Sequence, residues 1–191
     1  MTIVHSTKST KETEAIRLAF PPVEPGIGKV ITSPASKDLI AGVVIEPVAI
    51  WPDDRGLFFE VARVGKGMIA GFSPDTLQVS ATFTYPGSIK AFHYHLHQTD
   101  CWVPTLGMLQ VALVDLRDGS PTLGAKNTFY VGVHRPWQIL IPPGVAHGYK
   151  VIGGEPGMLI YMTDRFYNPA DEGRTPHNHP GINYDWELQH K

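Results

Sequence analysis

Apolar positions in this chain recur at every second residue or in short unbroken runs, and glycine or proline interrupts them before a helical period is established. Residues 41–50 predict a strand whose Pro47 suits a sheet edge. Residues 53–60 predict a turn and then an alternating strand, with Arg55 and Glu60 flanking Phe58 and Phe59. Residues 76–85 are β-branched and aromatic and predict another strand. Pro86-Gly87 then turns the chain into a stretch carrying His93, His95 and His97 at alternate positions. Alternate side chains of a strand share one face, so all three imidazoles can point into one space. Further segments at 108–116, 128–133, 137–141, 149–152 and 158–163 bring the expected strands to at least nine, with a long polar turn over 115–124. Residues 11–20 have the make-up of a short helix inside a polar, turn-rich N-terminal arm, residues 1–40. A single domain is expected over 41–191, its last part, 164–191, loop-rich with little regular pattern.

Composition sharpens the fold class. At 191 residues one domain is the default, and 17 prolines with 19 glycines spread along the chain favour many short strands. The expected fold is all-β, a jelly roll of two sheets, with a small-molecule cavity between them. Inward polar groups on such strands are costly unless used or satisfied, so His93 and His95 mark that cavity. A formal charge of −2 gives no electrostatic case for nucleic acid or an anionic membrane. Cys101 is the single cysteine, so no internal disulfide can form, and it is expected as a small buried side chain. No apolar run approaches a membrane span and no signal-peptide core is visible, so a cytoplasmic location is expected.

The histidine stretch carries a second signal. Gly87 is followed by five residues, His93-Tyr-His95, four residues, Asp100, six residues and Gly107, and later by Pro142-x-Gly144-x-x-His147. This spacing resembles the metal motif of cupins, with Asp where Glu is usual. His93, His95, Asp100 and His147 would make a three-imidazole, one-carboxylate set suited to Fe, Mn, Ni or Zn.

A wider set of segments points elsewhere in the same superfamily. These are Glu46-Pro47, Asp53-x-Arg55-Gly56-x-Phe58-x-Glu60, Gln78, Phe92-His93-Tyr94, Asp115-Leu-Arg117, Ser120-Pro-Thr-x-Gly124, Ile141-Pro-x-Gly144-x-Ala-His147-Gly148 and Tyr161-x-x-Thr163-Asp164-x-x-Tyr167-x-Pro169. Together, over residues 45–186, they resemble the dTDP-4-dehydrorhamnose 3,5-epimerase family, whose members act on dTDP-4-keto-6-deoxyhexoses. The resemblance implies a cupin-type jelly-roll β barrel (a double-stranded β-helix), a homodimer with exchanged strands, and no cofactor. It puts His93 in the role of base and Tyr161 in that of acid. Arg55, Phe58, Glu60, Gln78, Lys90, His147 and Tyr167 become substrate-binding residues, with Arg55 and Glu60 reaching the neighbouring subunit's nucleotide sugar.

Departures from the family pattern keep other readings open. Lys90 stands where Arg is usual, His95 where Gln is usual, and Asp100 near the position of an enolate-stabilising lysine. The core aspartate expected near Val111 is missing. The residue that orients the base lies in a C-terminal segment of the family, and no partner for His93 is evident here. A metal-dependent cupin enzyme, an oxygenase or metal-assisted isomerase using His93, His95, Asp100 and His147 with a divalent transition metal, is one alternative. A non-catalytic sugar-nucleotide binding protein is another. Arg55 and Glu60 alternatively read as an ion pair at a sheet edge, Asp115 and Arg117 as turn framework, and His97, His177 and His179 as surface residues.

Overall fold

Short strands that each bury one face need a second layer, and two sheets packed face to face supply it. The computed structural model describes residues 16–187. Among these there are thirteen strands: β1 (Lys29–Val30), β2 (Val44–Pro47), β3 (Ile50–Asp53), β4 (Gly56–Phe59), β5 (Gln78–Thr84), β6 (Ile89–His95), β7 (Asp100–Leu106), β8 (Met108–Asp115), β9 (Lys126–Gly132), β10 (Trp137–Ile141), β11 (Val145–Ile152), β12 (Gly157–Thr163) and β13 (Glu172–Arg174). One sheet has the order β1-β9-β8-β11-β6-β13 and the other β2-β10-β7-β12-β5, while β3 and β4 form a separate hairpin. β1 runs parallel to β9, and the long central strands pair antiparallel. This is the expected jelly-roll sandwich.

The main core lies between the sheets. Leu109, Val111 and Leu113 of β8, Phe129 of β9 and Val145 and Val151 of β11 meet Ile139 and Ile141 of β10 and Leu159 of β12. Each such side chain contributes about 1.5–3 kcal/mol when fully buried. The six-stranded sheet is covered on its other face too: Phe92, Ala112, Val114 and Ala146 pack beneath Ile182, Tyr184 and Trp186 of the C-terminal segment. Double coverage explains why β8 reads as a near-continuous apolar run, broken only at Gln110, rather than an alternation.

Four expectations change. Residues 16–20 are extended, not helical: Leu18 bridges Arg117, and the Ala19 N–H donates to the Leu116 carbonyl. Tertiary pairing and the burial of Leu18 against the outer cluster outweigh helix propensity there; residues 11–15 lie outside the described residues. The remainder of the expected arm runs along the barrel, contributing β1 and the buried Ile31 and Ile40. The tail holds β13, which pairs with the histidine strand in the register Glu172↔His95, Gly173↔Tyr94, Arg174↔His93. Gly173 is required for this, because a Cβ there would run into the Tyr94 ring. Finally, Arg55 and Glu60 do not pair with each other: Arg55 bonds Asp53 and Glu60 bonds Arg63, both partners close in sequence and all exposed.

Candidate active site

The register of two strands decides which side chains enter the cavity. His147 faces His93 and Tyr149 faces Lys90, so two steps along β11 match three along β6. Such a bulge re-aims side chains. Lys90 therefore lines the cavity together with His93 and His95, which simple alternation forbids. Gly148 sits at this point because a Cβ would collide with Ala91 across the gap.

The cavity has a volume of about 290 Å³ and is walled by both sheets. β6 and β11 bring Lys90, His93, His95 and His147 from one side, and β5, β7 and β12 bring Gln78, Asp100 and Tyr161 from the other. Tyr167 follows β12 at the mouth, its N–H donating to Gln78 Oε1 at 2.9 Å. Lys90 Nζ donates to Thr82 Oγ1 at 2.6 Å. Thus His93, Tyr161, Gln78, Lys90, His147 and Tyr167 come together as expected. Arg55, Phe58 and Glu60 do not: they sit on or next to the β3–β4 hairpin, away from the cavity, with Phe58 67% exposed. His97 lies beyond the end of β6 and is exposed.

At the rim, His93 Nδ1 lies 2.7 Å from Glu172 Oε1, and the same oxygen accepts from Arg174 Nε at 2.7 Å. Burial alone would raise the Glu172 carboxyl, but the bonds from Arg174 and His93 outweigh it and hold it below the ordinary value. An ionised carboxylate only accepts, so Nδ1 carries the hydrogen and Nε2 keeps its lone pair. Glu172 is the orienting partner that inspection of the sequence missed. Its signal is confined to Asp171-Glu-Gly-Arg174, too short to show a strand period.

The floor is different. His95, Asp100 and His147 are all buried, and their ligand atoms lie within 4.8 Å of one another; His93 is not in this group. Gln98 Nε2 donates to Asp100 Oδ1 at 2.7 Å and approaches His95 Nε2 at 3.3 Å, and Trp102 Nε1 donates to Asp100 Oδ2 at 3.1 Å. Burial pushes the Asp100 carboxyl up despite the field of His95 and these two bonds. Burial, with His95 adding to it, pushes His147 down to about 3, so its ring is neutral. The turn that delivers Gln98 and Asp100 is held by Asp171, which accepts the N–H groups of Leu96, His97 and Gln98 at 2.8–3.0 Å. Gln98, Trp102 and Asp171 were not legible as site residues.

Comparison with known proteins adds an independent line. Residues 37–191 match the family profile described as dTDP-4-dehydrorhamnose 3,5-epimerase. The chain is 41% identical over 153 residues to the spore coat polysaccharide biosynthesis protein SpsL of Bacillus subtilis (strain 168), covering 79% of this chain and 99% of that one. It is 36% identical over 153 residues to the probable low-salt glycan biosynthesis epimerase Agl13 of Haloferax volcanii, covering 78% and 96%. Among solved structures, the dTDP-6-deoxy-D-glucose-3,5-epimerase RmlC of Legionella pneumophila, in complex with dTDP-4-keto-L-rhamnose, superposes with a TM-score of 0.66 at 25% identity, covering 77% of this chain and 79% of that one.

Proposed function

Because the chain belongs to the dTDP-4-dehydrorhamnose 3,5-epimerase family, we propose that it epimerises a nucleotide-linked 4-keto-6-deoxy sugar by proton transfer next to the ketone. A ketone at C4 acidifies the hydrogens on C3 and C5. Inversion needs a base on one face of the sugar and an acid on the other. The observation that carries the reading is that His93 and Tyr161 line one cavity from opposite sheets. His93, oriented by Glu172, takes the proton through Nε2 and leaves an enolate; the Tyr161 hydroxyl returns a proton from the other side. Gln78, Lys90 and Tyr167 hold the sugar and its phosphates, with His147 on the cavity floor beneath them.

Arg55, Phe58 and Glu60 belong to this scheme through a homodimer. Their hairpin exposes Trp51, Leu57 and Phe58, an apolar surface that suits a partner subunit, and a second copy would bring these residues to its neighbour's cavity. Relatives named for polysaccharide and glycan biosynthesis support deoxysugar biosynthesis as the setting. No helix among the described residues is long and apolar enough to cross a membrane.

The test is incubation of the protein with a dTDP-4-keto-6-deoxyhexose in deuterium oxide, followed by NMR. Deuterium at C3, C5 or both is expected, and the pattern reports which carbon is inverted. Tight binding without any deuterium would leave a sugar-nucleotide binding protein and sink the epimerase assignment.

A further inference from the structure

The floor of the cavity carries a charge problem. Asp100 is 3% exposed, and its carboxylate receives only neutral N–H donors, from Gln98 and Trp102. Among the described residues no Lys or Arg pairs with it; its titratable neighbours are His147, Nε2 to Oδ2 at 3.7 Å, and His95, Nε2 to Oδ1 at 4.0 Å. A buried carboxylate in such surroundings requires either a proton or a cation. The same carboxylate has the wrong sign for a cavity in which an enolate develops.

Both imidazoles present lone pairs to this carboxylate. His147 Nδ1 lies 3.0 Å from the Val145 carbonyl oxygen, which can only accept, so the hydrogen is on Nδ1 and Nε2 is free to ligate. His95 Nε2 faces the Gln98 amide nitrogen, which can only donate, so it too holds a lone pair. That one amide nitrogen serves His95 and Asp100 together and marks the point toward which their lone pairs converge. Ligand atoms on a shared ion at about 2.1 Å stand roughly 3.4 Å apart in a tetrahedral site. The observed separations, all within 4.8 Å, close by side-chain rotation. Outer contacts of the kind that orient metal ligands are already in place, Val145 on His147 and Trp102 on Asp100.

We propose that His95, Asp100 and His147 bind one divalent transition-metal ion, its open positions toward the cavity and His93 outside the set. Two imidazoles and a carboxylate suit Zn, Fe, Mn, Co or Ni. The site's role rests on the epimerase reading: a divalent ion there supplies net positive charge where the ketone oxygen gains negative charge.

The test uses untagged full-length protein, stripped with chelator and titrated with Co²⁺ and, separately, Zn²⁺. Elemental analysis after desalting, cobalt ligand-field absorption and the thermal midpoint are read together. Roughly one ion per chain, a visible cobalt band and a raised midpoint are expected. Asp100→Asn and the milder His95→Gln each weaken uptake at least about tenfold, and His177→Ala, exposed and outside the cavity lining, leaves it unchanged. Absence of stoichiometric uptake by the parent protein, or equal uptake by the parent and both site variants, would overturn the proposal. Solvent deuterium exchange separates this from the reaction assignment. Full exchange by chelated protein removes the ion's catalytic role and keeps the epimerase; one bound ion without exchange keeps the site and removes the epimerase.

Discussion

Two buried carboxylates, one at each end of β7 and β8, show how differently burial can be used. Asp115 closes β8 and has no exposed surface, yet Arg117 grips it through Nε and Nη2, each at 2.8 Å, and Ser120 and Thr122 add hydroxyl donors at 2.6 Å. Burial alone would raise its pKa, but those bonds prevail and hold the carboxyl below the ordinary value. Asp100 opens β7, nearly as deep, without a fixed cation, and its carboxyl is raised. The first is a completed knot that pins the polar turn after β8. The second is an uncompensated charge that faces a cavity, the kind of group that functional sites retain.

This contrast predicts that variants near the cavity lose rate and variants at the knot lose stability. The largest effect is expected at the cavity rim: His93→Ala lowers deuterium exchange into the substrate about 10²–10⁴-fold with an unchanged unfolding midpoint, read by NMR and calorimetry. Retained exchange would remove His93 from the base role and blur the distinction. Next, Asp115→Asn costs about 2–4 kcal/mol, because Arg117 loses its partner in a half-buried network, while activity per folded molecule is kept. Asp100→Asn does the reverse, staying within about 1 kcal/mol of the parent in stability when both are chelated while ion-supported turnover falls; denaturant titrations of the two variants decide the matter side by side.

The third effect depends on pH. The folded-state pKa of Asp115 is depressed, so its contribution is complete above the unfolded value near 3.9 and is lost as pH falls through the lower folded value. The stability gap between the parent and Asp115→Asn should therefore narrow below about pH 4; a constant gap in thermal midpoints would count against the ion pair as its source. The smallest effect is at Arg174, exposed and bonded to Glu172. Arg174→Ala should slow exchange only about 2- to 5-fold, by loosening the carboxylate that orients His93.

Much of this contrast was visible in the chain, but unevenly. The strands of the two sheets announce themselves by β-branched alternation or, where both faces are covered, by apolar runs such as that of β8. Asp115 and Arg117 were readable as turn framework because the carboxylate's partners, Arg117, Ser120 and Thr122, lie within seven residues of it. The cavity was marked by His93, His95 and His147, since inward imidazoles have few other reasons to be there. What escaped was set by long-range pairing. Glu172 rides on a three-residue strand with no period of its own, 79 positions from His93. Lys90 was expected in the site from the family resemblance alone, because it enters the cavity through a register shift between strands that neither strand's own pattern contains. The helix expected at residues 11–20 gave way, where described, to an extended pairing with Leu116 and Arg117.

The position of β13 also has a temporal meaning. The strand that completes the His93–Glu172 pair follows every strand of the two large sheets in chain order, and Ile182, Tyr184 and Trp186, which seal the outer face of the six-stranded sheet, come later still. A chain emerging from the ribosome N-terminus first can therefore fold a nearly complete barrel before His93 has its Glu172 partner. The His93–Glu172 pair forms only when β13 docks on β6, after the strands on either side of the cavity have been made.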